Sequence, residues 1–398
     1  MDRFDYVIAG GGLVGLACAI EFSQMGLRGL LFDQGAEPKA PPAIGHAEIV
    51  NHQLLNAGSP RVSAINPASI QFLDRLGWRS NYSDAGLSPF SEMLVWDGEG
   101  GGDLGFPAEG LIIENDRLRW ALHQVVKALV QAGRLVCRWQ TGIQDVEDAA
   151  DGVSLRLTSG EAISVELMVA ADGARSKTRD LLGIRTLSWQ YNQTAIAGVI
   201  ATGRPHGQVA RQCFTPDGPL AFLPLPEPDQ NVIVWSSTKN DERLNLSPKA
   251  LCAEIEKYAE GALGHVRAVG PLAHFPLQQQ QAHRYVGKAS VLVGDAAHSI
   301  HPLAGQGLNL GFADVKALAA ALQKTRLGSK RGLTAALQVY QGQRRPLNLR
   351  MMATTELLKR VFDPPSPALR LARNIGLRWL DSQSRLKQAL TLAASGHM

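Results

Sequence analysis

Cysteine is scarce. The 398-residue chain holds four, Cys18, Cys137, Cys213 and Cys252, with no Cys-x-x-Cys spacing and no histidine pair beside them. This excludes a disulfide scaffold and a cysteine zinc site, and reads as small apolar side chains in a reducing compartment. No apolar run reaches the roughly 18 residues of a membrane span. Met1-Asp2-Arg3-Phe4-Asp5 runs straight into a strand-like segment, without the basic and apolar regions of a secretory signal. The expected setting is cytoplasmic, free or peripherally attached to a membrane. Net charge is also small, +4, and demands no nucleic-acid partner.

What the chain does have is apolar content (45%) with 19% charged residues, which excludes intrinsic disorder. Its length predicts two or three domains at about 150 residues each. The 40 glycines exceed the usual share of about 7%, so tight backbone turns should matter. Charge is unevenly placed: Gln323 to Met398 carries 14 Lys/Arg against 3 Asp/Glu, a net of +11, which leaves −7 on the rest. Such a basic end reads either as a surface for an anionic partner or membrane, or as solvated outer faces of helices.

Tyr6-Val7-Ile8-Ala9 is a short apolar strand, and Leu16 to Met25 has helical apolar spacing that stops before Gly26. Leu30-Leu31-Phe32 is a second strand ending at Asp33, which completes a β-α-β unit. Between the first strand and the helix lies Gly10-x-Gly12-x-x-Gly15. Gly10 permits the tight turn, Gly12 lets backbone approach a pyrophosphate, and Gly15 lets helix and strand pack closely. The helix N-terminus supplies N–H donors to phosphate. Asp33, 18 residues past Gly15, is placed to accept from a ribose hydroxyl. This pattern alone leaves NAD and FAD undivided.

Farther on, Arg117 to Ala132 predicts an amphipathic helix ending at Gly133, and Gly98 to Gly102 a hairpin loop. Strand-like runs follow at Val153 to Leu157, Ile163 to Val169, Thr194 to Ile200, Leu220 to Leu225 and Val232 to Ser236. Trp96, Trp189 and Trp235 fall in such stretches and read as core. Leu308 to Leu322 predicts a helix, after which the chain stays helical with breaks at Pro346 and Pro364-Pro365. Arg117 reads either as a cofactor contact or as a helix-end salt bridge.

Two more segments end buried strands in polar turns: Leu167 to Ala171 followed by Asp172-Gly173-Ala174-Arg175-Ser176, and Val291 to Val293 followed by Gly294-Asp295-Ala296-Ala297-His298. The second runs on to His301-Pro302-Leu303-Ala304-Gly305-Gln306-Gly307-Leu308-Asn309. With the N-terminal glycines, these resemble the three fingerprints of the class A FAD-dependent aromatic hydroxylases. Arg61 to Ser69, Leu76-Gly77-Trp78 and Gly218 to Leu225 narrow the resemblance to the ubiquinone-biosynthesis branch. Asp33 departs from the Glu that many relatives carry.

The resemblance implies an α/β fold. A Rossmann-like FAD-binding domain of glutathione-reductase type (1–75, 105–185 and 280–345) would interleave with a β-sheet substrate domain (76–104 and 186–279), followed by C-terminal helices (346–398). It implies bound FAD, held by Gly10, Gly12, Leu13, Val14, Gly15, Asp33, Arg61, Arg117, Asp172, Gly173, Gly294, Asp295, Pro302, Gly305, Gln306, Gly307, Leu308 and Asn309. Asp295 would take a ribityl hydroxyl, and Asp172 to Ser176 would serve both FAD and NAD(P)H. Pro302, His301 and Arg61 are the implied catalytic residues, with the Pro302 carbonyl beside the oxygen site. His301 otherwise reads as structural, as His298 does. Phe222, Leu223 and Pro224 would line the substrate pocket, and no metal is implied.

The implied activity is ring hydroxylation of a polyprenylated phenol or quinol with NAD(P)H and O2, through a flavin C4a-hydroperoxide. A soluble phenolic substrate, or a flavin-bound scaffold role in a biosynthetic complex, are the alternatives. Pro367 to Leu392 intersperses Leu369, Ile375, Trp379 and Leu386 with Arg370, Arg373, Arg378 and Arg385. It suits an interfacial helix at the inner membrane, a docking face for other biosynthesis proteins, or packing on the FAD domain. Homo-oligomerisation is left open.

Overall fold

The computed structural model describes residues 4–42, 47–83, 86–99, 103–259, 261–300, 307–324 and 329–362, with 391 and 395. Tyr6–Ala9 is apolar without alternation and forms a strand whose four residues are all buried, as a parallel strand covered on both faces must be. It is the middle of a five-stranded parallel sheet. Ser290–Leu292, Leu167–Ala170, Tyr6–Ala9, Gly29–Phe32 and Leu135–Arg138 lie side by side in that order. The chain leaves Tyr6–Ala9 toward one neighbour and returns much later to the other. A crevice therefore opens at the carboxyl end of the central strand, where the glycine turn sits.

Helix Leu13–Gln24 is apolar nearly all round because it is covered on several sides. It packs on the helices Asn115–Gln131 and Gly307–Gln323 as well as on the sheet, and Leu16, Ala17, Cys18, Ala19, Ile20 and Phe22 are fully buried. The run Ile163 to Val169 divides in two. Ala162–Val165 alternates exposed and buried and closes a small antiparallel sheet with Gly152–Leu157 and Ile143–Ala149, whereas Leu167–Ala170 is buried throughout and joins the parallel sheet. Alternation against a continuous apolar run marks that division.

A third sheet, of twelve strands and mostly antiparallel, holds Gly218–Pro224, Gln230–Ser237, Val209–Thr215 and Ser88–Asp97 near its centre. Glu48–Val50, Gln53–Leu55 and Val62–Ile65 also pair into it, although the sequence reads them as part of the nucleotide-binding stretch. One face packs on helix Pro248–Ala259 through Trp96, Phe222, Trp235 and Ile255. The other face bounds a cavity. Trp96 and Trp235 are core residues, but Trp189 is 46% exposed. Thr186–Thr202 pairs with Gln230–Ser237 only from Thr194 onward, so the Trp189 segment overhangs the main sheet.

The expected break at Pro346 is absent: Lys330–Phe362 is one helix with Pro346 inside it. Proline removes one backbone N–H donor, but Tyr340, Arg344, Asn348 and Met352 are buried on both sides of it and hold the helix in place. Pro364-Pro365 and the 367–392 stretch, apart from Thr391, lie outside the described residues. Among the described residues, no helix is long and apolar enough to cross a membrane, and no three His, Cys, Asp or Glu side chains converge as metal ligands.

Candidate active site

The glycine turn is shaped by three different constraints. Gly10 has φ +108°, and a Cβ there would lie 2.4 Å from the Ala171 carbonyl oxygen. A Cβ on Gly15 would lie 1.9 Å from the Gly10 carbonyl oxygen, so helix and turn meet with no room to spare. Gly12 is the opposite: a Cβ there meets nothing within 4 Å. It faces a cavity of about 330 Å³ lined by Gly10, Gly12, Asp33, Asp172, Gly173 and Lys177, among others. The first N–H groups of helix Leu13–Gln24 have no intrahelical acceptor and add a positive end there. A pyrophosphate fits this cradle. Asp33 accepts from Gly11 N (2.5 Å) and Gly35 N (2.6 Å), which fixes its carboxylate on the cavity wall with lone pairs left for a ribose.

Arg117 does not reach this cavity. Its guanidinium pairs with Glu114 (2.8 Å) and donates to the Pro42 carbonyl (2.7 Å). Arg119, which sequence reasoning passed over, donates from Nε to the Gly11 carbonyl at 2.9 Å. The two differ by about 200° around a helix of 3.6 residues per turn, so only one can face the glycine turn.

Asp172 is largely occupied by its own loop. It accepts from Ser176 Oγ and from Thr178 N (3.0 Å), and Ser176 in turn caps the short helix Lys177–Leu181. Gly173, at φ +82°, lets the chain turn there and lines the same cavity. Buried Arg179 donates to both the Ala174 (3.1 Å) and Ala296 (3.3 Å) carbonyls. It thereby ties the Asp172 turn to the Gly294-Asp295 turn.

Gly294 adopts φ +58°. Val14 wedges the N-terminal helix against this turn, since a Cβ on Gly294 would sit 3.2 Å from Val14 Cγ2 and one on Gly311 only 2.6 Å from it. Leu13, beside it, also packs against the main core. Asp295 is solvent-exposed although protein crowds around it, as for a side chain on the floor of a recess. Crowding raises its carboxyl above the usual range, His298 opposes this, and the Asp314 charge adds to it. Exposure is what matters for a ligand, because a hydroxyl that replaces water can reach this carboxylate.

Beneath the turn lies a buried polar network. Asp314 accepts from His298 Nε2 (2.6 Å), Arg344 Nε (2.7 Å), Gly294 N (3.0 Å) and Asn348 Nδ2 (3.3 Å). Burial disfavours the ionised carboxylate, yet His298 and Arg344 outweigh it and hold the carboxyl below its usual range. His298 is thus part of the support of the turn. Asp314, Arg344 and Asn348 were missed from sequence; the available signal was one carboxylate in the apolar stretch from Leu308 to Leu322.

Helix Gly307–Gln323 is tied at its start to strand Val62–Ile65, which lines a second cavity. Its residue Asn309 accepts from Asn66 N (3.1 Å) and donates to the Ala64 carbonyl (2.8 Å), which staples the helix start to strand Val62–Ile65. The Asn309 side chain is therefore committed to protein, while the N–H groups of Gly307, Leu308 and Asn309 remain without intrahelical acceptors. His301, Pro302, Gly305 and Gln306 lie outside the described residues. The second cavity, of about 510 Å³, is walled by Arg61, Val62 and Ala64 at the edge strand of the large sheet and by that sheet's central strands. Leu223 lines it. Phe222 does not: strand side chains alternate faces, and Phe222 lies on the opposite face, stacked on Trp96 with ring centroids 6.2 Å apart. Pro224, of the same parity as Phe222, is likewise absent from the wall.

Residues 3–355 match the family model described as FAD binding domain. The chain is 35% identical to the ubiquinone hydroxylase of Rhodospirillum rubrum, over 98% of this chain and 89% of that one. It is 34% identical to 3-demethoxyubiquinol 3-hydroxylase of Escherichia coli, over 98% of each. Among solved structures, p-nitrophenol 4-monooxygenase from Pseudomonas putida superposes with a TM-score of 0.76 at 18% identity, covering 100% of this chain and 99% of that one, a likeness of fold.

Proposed function

Because the chain belongs to the FAD-binding-domain family and is an FAD-dependent monooxygenase, we propose that its substrate is a polyprenylated phenolic intermediate of ubiquinone biosynthesis, hydroxylated on the ring. The observation that carries this is the 510 Å³ cavity, walled mainly by Ala, Val, Leu, Met and Phe and touching the residue, Ala64, to which the Gly307 helix is stapled. An aromatic ring there lies against strand Val62–Ile65, to which the helix start is tied. When bound, FAD supplies hydride acceptance from NAD(P)H and activation of O2.

The chain's own residues do the rest. Gly10, Gly12 and the first helix seat the pyrophosphate, Asp33 the ribose, and Asp295 the ribityl chain. The N-terminus of Gly307–Gln323 places a positive dipole end where the reduced ring would carry negative charge. Arg61, exposed and on the cavity wall, brings a cation to the boundary between ring and cofactor. The apolar walls keep water from the reacting atoms.

At the rim, Phe275 is 39% exposed, and Trp189 and Leu187 are exposed on the strand paired with it. That apolar surface suits a prenyl chain leaving the cavity. The +11 charge of 323–398 then suits anionic lipid, in which such a substrate would dissolve.

The test is NAD(P)H oxidation by the purified holoenzyme with 2-geranylphenol and with unprenylated phenol. The proposal expects hydroxylated 2-geranylphenol as product and poor turnover of phenol. Equal turnover of both would move the assignment to soluble phenolics. A protein that retains FAD but oxidises NAD(P)H with neither would favour the scaffold role.

A further inference from the structure

The centre of the sheet side of the second cavity is alanine and valine. Ala197, Ala221, Val234 and Ala273 lie in one row across the strands and form a low apolar floor, joined by Ala210. One residue in that row is different. Gln212 is opposite Ala221 on the neighbouring strand, lines the cavity and is only 8% exposed. Among the described residues, its side-chain amide has no hydrogen-bond partner.

Buried amides are almost always paired within the protein; this one is instead open to the cavity, where a ligand or water can reach it. The other polar groups of the cavity are accounted for differently. Asn115 Oδ1 already accepts from Ser63 Oγ. Arg211, opposite Phe222 on the neighbouring strand, donates from Nη1 to the His206 and Val209 carbonyls, while its buried Nε has no partner. Arg61 and His274 are exposed and need no ligand. Among the described residues on the cavity face of the sheet, Gln212 is a mostly buried side chain whose amide has no protein partner.

We propose that Gln212 positions the substrate ring by a hydrogen bond to its oxygen substituent. This deepens the reading of the cavity as a phenol site and rests on it. A carboxamide offers both donor and acceptor, so it can accept from a phenol O–H or donate to a ring oxygen. The alanine floor takes the ring's face while Gln212 sets its rotation in the plane, and with it which carbon is presented to the oxygen donor. Gln212 is therefore a positioning residue and a discriminator against rings that lack the oxygen.

The test compares wild type with Gln212→Met, which keeps the volume and removes the amide, and with Gln212→Asn, a conservative rescue. FAD content and melting temperature establish that each variant is folded and loaded. Binding of 2-geranylphenol and of geranylbenzene is read from the flavin absorbance change. Wild type should prefer the phenol, and Gln212→Met should lose about tenfold of that preference with geranylbenzene binding unaltered. The same variant should raise KM more than it lowers kcat, and should divert reducing equivalents to hydrogen peroxide. Gln212→Asn should recover part of the preference. An unchanged preference in Gln212→Met, with wild type hydroxylating 2-geranylphenol, overturns the Gln212 assignment alone. If wild type neither binds nor hydroxylates 2-geranylphenol, the phenol reading falls and takes this proposal with it.

Discussion

Asp314→Asn should strike the flavin site from behind. The wild-type carboxylate holds four donors within 3.3 Å, including the Arg344 guanidinium and the N–H of Gly294. Its side chain is fully buried, and that of Arg344 is 8% exposed. An amide in its place can satisfy Arg344 with its oxygen, but its NH2 then faces the Gly294 N–H, donor against donor. Arg344 is left as a buried cation without a counter-ion. Removing one partner of a buried pair costs about 3–5 kcal/mol, a large part of a typical stability of about 5–15 kcal/mol. Urea unfolding of the FAD-free protein measures this loss, and FAD titration should show weaker binding because Gly294 and Asp295 lose their anchor. Because the folded carboxyl titrates below its ordinary value, its contribution is present above the unfolded pKa of about 3.9 and fades as pH falls through the lower folded value. The gap between wild type and variant should thus be full at neutral pH and shrink only in acid below about pH 4. A loss under about 1 kcal/mol at neutral pH, with FAD affinity intact, would refute the network as the support of the turn.

Two glycines of one motif should part company. Gly12→Ala meets no protein atom, so the melting temperature of the FAD-free protein should match wild type while FAD affinity falls steeply. Gly15→Ala collides with the Gly10 carbonyl and should lose both. Phe222→Ala, on the far face of the sheet, should destabilise by about 3–5 kcal/mol with little change in KM, whereas Ala221→Trp should leave FAD bound and block turnover by filling the cavity. Asn309→Ala frees the Ala64 carbonyl and Asn66 N–H; rates of flavin reduction and substrate-dependent O2 uptake should fall together, at unchanged FAD content.

The glycine motif was legible because its constraints are local: strand, turn and helix are contiguous, Gly15 answers to Gly10 and Gly10 to Ala171 just past the adjacent strand, while Gly12 faces the cavity. The Gly-Asp and Asp-Gly turns were legible for the same reason. What escaped depends on register and tertiary pairing. Phe222, Leu223 and Pro224 are adjacent in sequence, yet the two-residue period of a strand forbids all three from facing one pocket. Arg117 and Arg119 look interchangeable until the helix is turned against its sheet. Asp314 and Gln212 become notable only once Arg344 is known to be a partner of the first and nothing a partner of the second. Pro346 reads as a break from local propensity, and tertiary burial on both sides overrides it.

The most direct measurement of the central claim is turnover of 2-geranylphenol by the FAD-loaded enzyme with NAD(P)H under isotopically heavy O2, with mass spectrometry of the ring product. Each hydroxylated product molecule should carry one heavy oxygen atom and form only when FAD and reductant are both present. Product oxygen drawn from water, or reductant consumed with hydrogen peroxide as the sole product for prenylated and unprenylated phenols alike, would contradict it.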